Sequence, residues 1–352
     1  MAIKHIEIKD FLVFKGDFVV DFCTGVNVII GGNATGKTTL LKVLRLAYDK
    51  TIRVPHEFPC IVYDSNMDFE DDVFYTQTVR ISKFFPYSGF NEKHLMIEVS
   101  DDGNSTRITE VLNIMNPDWE RDEHWHMIET KGDNQINELV YIPVNEMLTH
   151  SEGLLALNNV RKLPFDKTYI DILSMASMPE THDVPSNAKK ALSILEKIIG
   201  GTVVVENDVF FILREDNKKI PFSLTASGFK KLGLLWKLLR NGLLEPGSIL
   251  FWDEPENSLN PELVPVLVDI LLELSRNGVQ IFIATHSEIL ASYFDVSCRD
   301  GDEVMFASLY KEGDFVKVNT GDRFNWLEPN NLTEAPVRLY EKKLDKGLGC
   351  YG

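Results

Sequence analysis

The run Val26–Ile30 leads directly into Gly31-Gly32-Asn33-Ala34-Thr35-Gly36-Lys37-Thr38-Thr39, and apolar residues at helical spacing (Leu40, Leu41, Val43, Leu44, Leu46) follow at once. A buried strand, a glycine-rich turn and a helix in that order constrain the chain more than any other stretch. The loop has the spacing G-x-x-x-x-G-K-[ST] of a phosphate-binding loop. Each part has a physical purpose. Gly31, Gly32 and Gly36 let successive backbone N–H groups face one point. A helix predicted over Lys37–Tyr48 aims its positive end at that point. Lys37 supplies a mobile cation for the outer phosphates, and Thr38 a hydroxyl for Mg²⁺. The alternative is a glycine-rich turn before a surface helix. It leaves the Lys-Thr pair and the preceding apolar strand without a reason.

A second segment complements the first. The apolar strand Ser248–Trp252 ends in Asp253-Glu254-Pro255. Two acids at a strand end match the second half of a nucleoside-triphosphatase site, with Asp253 holding Mg²⁺ and Glu254 polarising the attacking water as general base. Asn260 is a natural N-cap and Pro261 suits a first helical position. The following helix carries Leu263, Val266, Leu267, Ile270, Leu271 and Leu274 on one face, with Pro265 expected to distort its start. Asn277-Gly278 stops it, and Val279–Ala284 is another buried strand, leading to Thr285-His286-Ser287. Strand, helix, strand is a βαβ unit, so a parallel sheet is predicted with Asp253, Glu254 and His286 at strand C-terminal ends, where open α/β sheets bind ligands. His286 is then expected to face the terminal phosphate.

The rest of the chain is organised around these two segments. Ile3–Lys9 and Phe18–Phe22 read as opening strands, Phe74–Ile81, His94–Val99 and Thr106–Val111 as antiparallel strands with a turn at 101–104, and Glu138–Pro143 as a buried strand. Asn116–Asp133 reads as a loop. From His150 to Gly200 the spacing is helical, notably in Tyr169–Met175 and Ala188–Ile199, and Thr202–Val205 with Val209–Leu213 suggests a hairpin. No sustained heptads occur, so no long coiled-coil arm is expected. The organisation read from this is an N-terminal lobe over 1–145, a mainly helical insertion over 146–222, a C-terminal lobe over 223–300, and strands with a helix packed on the core over 301–352.

Composition bounds function. The 352 residues are 44% hydrophobic and carry a net charge of −17. That balance suits a folded core and argues against a surface that coats nucleic acid, while leaving room for a local basic groove. Lys189-Lys190, Lys218-Lys219, Lys230-Lys231 and Arg338–Lys346 are basic spots that read as solvated helix faces or turns. Cys23, Cys60, Cys298 and Cys350 lie far apart without a CxxC pair, which fits free thiols in a reducing cytoplasm. No secretory signal and no membrane-spanning run are read from the sequence.

Taken in order, the phosphate loop, the helix start at Thr225-Ala226-Ser227-Gly228, the strand into Asp253-Glu254-Pro255, the turn Ser258-Leu259-Asn260-Pro261 and Ala284-Thr285-His286-Ser287 resemble the ABC-type ATPase superfamily, and within it the soluble branch of chromosome-maintenance, RecF-like and OLD-like AAA ATPases. Ile6-x-Ile8-x-x-Phe11-x-x-Phe14 with Gly25-x-Asn27-x-Ile29 is similar to that branch's opening strands. The resemblance implies an α/β fold, a P-loop ABC-ATPase-like mixed sheet core with a strand-rich N-terminal lobe and a helical insertion. It also implies ATP and Mg²⁺ as ligands and a homodimer with two ATP molecules between the subunits, each held by one chain's phosphate loop and the other's signature helix. Here that signature is Leu224–Lys231. Gly228 matches, and Thr225 or Ser227 must serve for the displaced serine; an ordinary N-cap before a helix Phe229–Leu239 is the alternative. The glutamine that such families place after the middle strand is not evident after Tyr141-Ile142-Pro143, where Asn145 and Glu146 stand. Phe14 and Lys15 approach the adenine or belong to the sheet. Stand-alone ATPases of this kind resemble subunits of antiphage systems that work beside a separately encoded effector. Direct DNA binding in repair, a transporter motor subunit and an ATP-gated binding module are the competing functions.

Overall fold

The structure is a computed structural model and describes residues 2–47, 94–101, 106–112, 129–130, 138–161, 165–184, 186 and 188–348. The strand expected over Phe74–Ile81, most of the Asn116–Asp133 loop, and Cys60 and Cys350 lie outside the described residues, as does most of the turn at 101–104.

A six-stranded mixed sheet forms the centre. Its strands are β3 (Val26–Gly31), β7 (Leu139–Ile142), β11 (Ile249–Asp253), β12 (Gln280–Thr285), β13 (Val304–Glu312) and β14 (Phe315–Gly321), in the order β14-β13-β3-β12-β11-β7. All neighbours run parallel except β13 and β14. Strands covered on both faces must be apolar at consecutive positions, and β3, β7, β11 and β12 are buried along their whole length. The two-residue pleat divides them cleanly. Val28, Ile30, Val140, Ile142, Leu250, Trp252, Ile281 and Ile283 enter one core. Ile29, Leu139, Tyr141, Ile249, Phe251, Phe282 and Ala284 enter the other.

On the second face lie α1 (Lys37–Ala47), through Leu40, Leu41, Val43 and Leu44, and the strands β1 (Ile3–Phe11) and β2 (Phe14–Asp21). These strands belong to an antiparallel sheet, β2-β1-β4-β5-β6, completed by β4 (His94–Asp101), β5 (Thr106–Leu112) and β6 (Glu129–Thr130). On the first face lie the helices of the middle segment, α2 (Leu154–Arg161), α3 (Lys167–Ala176) and α4 (Lys189–Ile199), and a small sheet of β8 (Thr202–Glu206), β9 (Val209–Leu213) and β10 (Lys219–Pro221). With them pack α5 (Ser227–Arg240), α6 (Val264–Arg276) and α7 (Glu288–Ser297); α8 (Asn331–Leu348) closes the described chain. The α/β fold with a mixed central sheet is thus as expected. No helix among the described residues is long and apolar enough to cross a membrane.

Asn260 caps a 3₁₀ turn over Pro261–Leu263 by accepting from the Glu262 N–H, and the α-helix proper starts at Val264 with Pro265 in its first turn. Pro265 is tolerated there because first-turn N–H groups have no intrahelical acceptor.

Candidate active site

The parallel register of β3, β12 and β11 brings three strand ends to one edge of the sheet. The loop Gly31–Thr35 follows β3, with Asn33 and Ala34 exposed and Ala34 in the left-handed region at φ +58°. The Thr35 hydroxyl donates to the Gly32 carbonyl at 2.9 Å. Gly36 has φ +93°, and a side chain there would come within 2.6 Å of Val13 and 2.8 Å of Phe14. No other residue type meets both demands. Phe14 is therefore a core residue beneath the loop, with its ring 4.4 Å from that of Phe18. Lys15 is exposed beside Asp314 at 3.6 Å.

Lys37 opens α1 and is buried. Its ammonium donates to the carbonyls of Gly31 and Gly32 at 3.0 and 2.8 Å. Burial pulls its pKa down to about 8 against the opposing pull of Asp253, Glu254 and Glu256. Thr38 is exposed, and its hydroxyl donates to Asp253 Oδ2 at 2.8 Å. Thr39 follows in the helix, half-buried. Asp253 ends β11, and burial pushes its carboxyl up to about 6 although the Thr38 hydroxyl counters it. It is still ionised at neutral pH. Thr38 and Asp253 offer oxygen donors only, the chemistry a hard divalent cation selects.

Glu254 stands at φ +47°, a conformation costly to a residue with a Cβ. Its N–H donates to the Ala284 carbonyl at 2.8 Å, which ties the end of β11 to that of β12. His286 Nε2 lies 3.7 Å from Glu254 Oε1. Burial first and then Lys37 lower the His286 pKa, so the ring is neutral at pH 7 and this approach is no ion pair. Lys37, Thr38, Asp253, Glu254 and His286 are thus brought to one place.

The signature-like segment is elsewhere on the same edge. α5 starts at Ser227, two residues before the expected Phe229, because Ala226 with extended backbone is its N-cap. Ala226 offers no side-chain cap, so the ordinary capping alternative has no capping side chain here. Ser227 is exposed, while the Thr225 hydroxyl donates to the Pro221 carbonyl at 3.2 Å. Gly228 abuts the loop after β11, where an added Cβ would be 2.9 Å from the Ser258 carbonyl. The residues after β7 are engaged within the chain. Asn145 donates to the Tyr169 hydroxyl at 3.2 Å, and Glu146 accepts from the Thr149 N–H at 3.0 Å.

Three residues have surroundings that the local sequence does not announce. Lys230-Lys231 was expected to be a solvated basic spot. Lys231 is instead 5% exposed and donates to the Glu254 carbonyl at 2.8 Å, and Lys230 donates to the Thr149 hydroxyl at 2.9 Å. The helical period carried a signal, since Lys231 lies on the face of Gly228, Leu232 and Leu235. Glu256, half-buried, accepts from the Thr285 hydroxyl at 2.6 Å and the His286 N–H at 3.2 Å. Nothing in its local sequence announces that.

The family described as "AAA domain, putative AbiEii toxin, Type IV TA system" matches residues 26–292. The phosphonates import ATP-binding protein PhnC 1 of a Nostoc species is 36% identical over 81 residues, 22% of this chain and 30% of that protein. The L-cystine import ATP-binding protein TcyN of Bacillus subtilis is 25% identical over 169 residues, 46% of this chain and 60% of that protein. The chain thus spans less than two thirds of these relatives. A solved SMC head bound to the C-winged helix domain of ScpA is similar in fold, with a TM-score of 0.52 at 14% identity over 92% of this chain and 98% of that one. With the match running across both strand-end motifs, the chain belongs to this AAA-domain family, and its fold is like that of the SMC head.

Proposed function

We propose that the protein is a Mg²⁺-dependent ATPase that works as a nucleotide-gated switch in the cytoplasm. The hydrogen bond between Thr38 and Asp253 carries this reading, because it joins two motifs 215 positions apart into one pocket. Lys37 and the N–H groups of the Gly31–Gly36 loop would hold the ATP phosphates, Lys37 leaving its own loop carbonyls to do so. Thr38 and Asp253 would hold Mg²⁺, which supplies charge neutralisation at the outer phosphates when bound. Glu254 would take the proton of the attacking water. His286, neutral and facing Glu254, would place a ring N–H toward the terminal phosphate.

The uncapped start of α5, at Thr225, Ser227 and Gly228, would receive the phosphates of ATP bound to a second copy, giving a head-to-tail homodimer with ATP at the interface. ATP would favour the closed dimer and hydrolysis would release it, since a ligand shifts an equilibrium only by its differential affinity. Control of a separately encoded effector in antiphage defence rests on the family resemblance, and gene neighbourhood or a pull-down from host extract tests it.

The deciding experiment measures phosphate release and light scattering with ATP. Wild type hydrolyses, Glu254→Gln accumulates as an ATP-bound dimer, and Lys37→Ala binds no ATP. A Glu254→Gln protein that stays monomeric with ATP removes the dimer, and undiminished hydrolysis by it removes Glu254 as the base.

A further inference from the structure

We propose that Lys231 is a positioning residue that couples the start of α5 to the backbone of Glu254. This rests on the reading of Glu254 as general base and deepens it.

A buried ammonium is costly, and an apolar side chain of similar length would fill the same space without that cost. Lys231 instead spends its charge on one carbonyl, that of Glu254, at 2.8 Å. The same carbonyl accepts from the Asn257 N–H at 3.1 Å, so both bonds converge on the peptide that follows the left-handed Glu254. Such a backbone persists only where its surroundings over-determine it. On the N-terminal side the Ala284 carbonyl holds the Glu254 N–H at 2.8 Å, and on the C-terminal side Lys231 holds the carbonyl.

The acid loop also carries a compensating charge. Glu256 exerts the strongest favourable pull on Lys231. Its Oε1 accepts from Thr285 and His286, while its Oε2 is buried without a hydrogen-bond partner among the described residues.

One turn earlier on the same helix, Gly228 fits against the Ser258 carbonyl so closely that no side chain could intervene. The neighbouring Lys230 donates to Thr149 beyond β7 at 2.9 Å. A displacement of the α5 start is thereby passed to two strand-end loops, and through Lys231 to Glu254 itself.

The test compares kcat and KM for ATP in Lys231→Met, Lys231→Arg and Lys231→Gln, with and without Glu254→Gln. Lys231→Met is expected to lower kcat by about 10- to 100-fold with KM held within about twofold, as loss of alignment does. Lys231→Arg, keeping charge and donors, is expected to recover part of that loss. In the Glu254→Gln background Lys231→Met is expected to add nothing, because both changes act through one group. An equal loss in both backgrounds, or an unchanged kcat per folded molecule, overturns the coupling. Should Lys231→Met not fold, the other two decide: kcat falling from Lys to Arg to Gln at constant KM supports the coupling, and wild-type kcat in both overturns it. A Glu254→Gln protein with undiminished rate overturns the general-base reading and the coupling with it, whereas a full Glu254→Gln defect with an additive Lys231→Met defect overturns the coupling alone.

Discussion

Lys37 and Lys231 are both buried, and burial pulls both pKa values down to about 8. They are held in different ways. Lys37 turns back onto Gly31 and Gly32, carbonyls of the loop it closes, and the Thr35 hydroxyl bonds inside the same loop. Lys231 reaches from α5 to the Glu254 carbonyl, and the loop beyond β11, besides its own Asn257-to-Glu254 and Leu259-to-Glu256 bonds, is tied to Ala284, Thr285 and His286 of another strand end. The lysine of the phosphate loop is held by that loop's own carbonyls, whereas the acid loop depends in addition on neighbouring elements. A self-held loop can form its geometry before any ligand arrives. A loop held from outside can be moved by whatever moves its supports, which suits the responding part of the switch proposed above.

Four changes break or sharpen that contrast. Glu254→Gln strikes the chemistry of the acid loop alone, and kcat for ATP hydrolysis is expected to fall by about 10²- to 10⁴-fold with ATP affinity retained in nucleotide titrations. Gly36→Ala strikes the phosphate loop, since the residue is at φ +93° and an added Cβ would come within 2.6 Å of Val13. It is expected to cost about 3 kcal/mol or more in denaturant unfolding, and to abolish nucleotide binding in the protein that folds.

Asp253 spans both loops and gives a pH signature. Its carboxyl is raised from the usual 3.8 to about 6, with burial as the main cause. Between those values the folded protein keeps a proton that the unfolded chain has lost, so stability present below pH 4 is lost as the pH rises to about 6. Asp253→Asn removes this contribution. In thermal melts without nucleotide it is expected to flatten the pH dependence and to be more stable than wild type above pH 6. An unaltered slope between pH 4 and 6 would show that Asp253 carries no such burden.

The smallest effect is expected from Thr285→Val. It withdraws one donor from the half-buried Glu256 and costs about 1–2 kcal/mol, with a modest loss of kcat because the acid loop keeps its other supports. A larger loss of ATP affinity than of kcat would show that the two loops are not independently held.

Legibility in the sequence followed the same division. Gly31–Thr39 could be read because its glycines, Lys37 and Thr38 act within a few residues of each other. Asp253, Glu254 and His286 could be placed at strand ends because Ile249–Asp253, Val264–Arg276 and Gln280–Thr285 form one short βαβ run. Lys231 was misread as a solvated charge, since its acceptor is 23 positions away in another element. Glu256 gave no signal at all, as its donors come from Thr285 and His286.

The sequence by itself determined the phosphate loop, the buried parallel strands and the order of the acid and histidine motifs, because hydrophobic period and local backbone chemistry act over a few residues. The tertiary structure alone decided that β3 lies between β12 and β13, so that Thr38 meets Asp253. It alone also decided that the α5 start rests on the Ser258 loop with Lys231 beneath Glu254. Those contacts join residues far apart in the chain, and only the packing of both faces of one sheet brings them together.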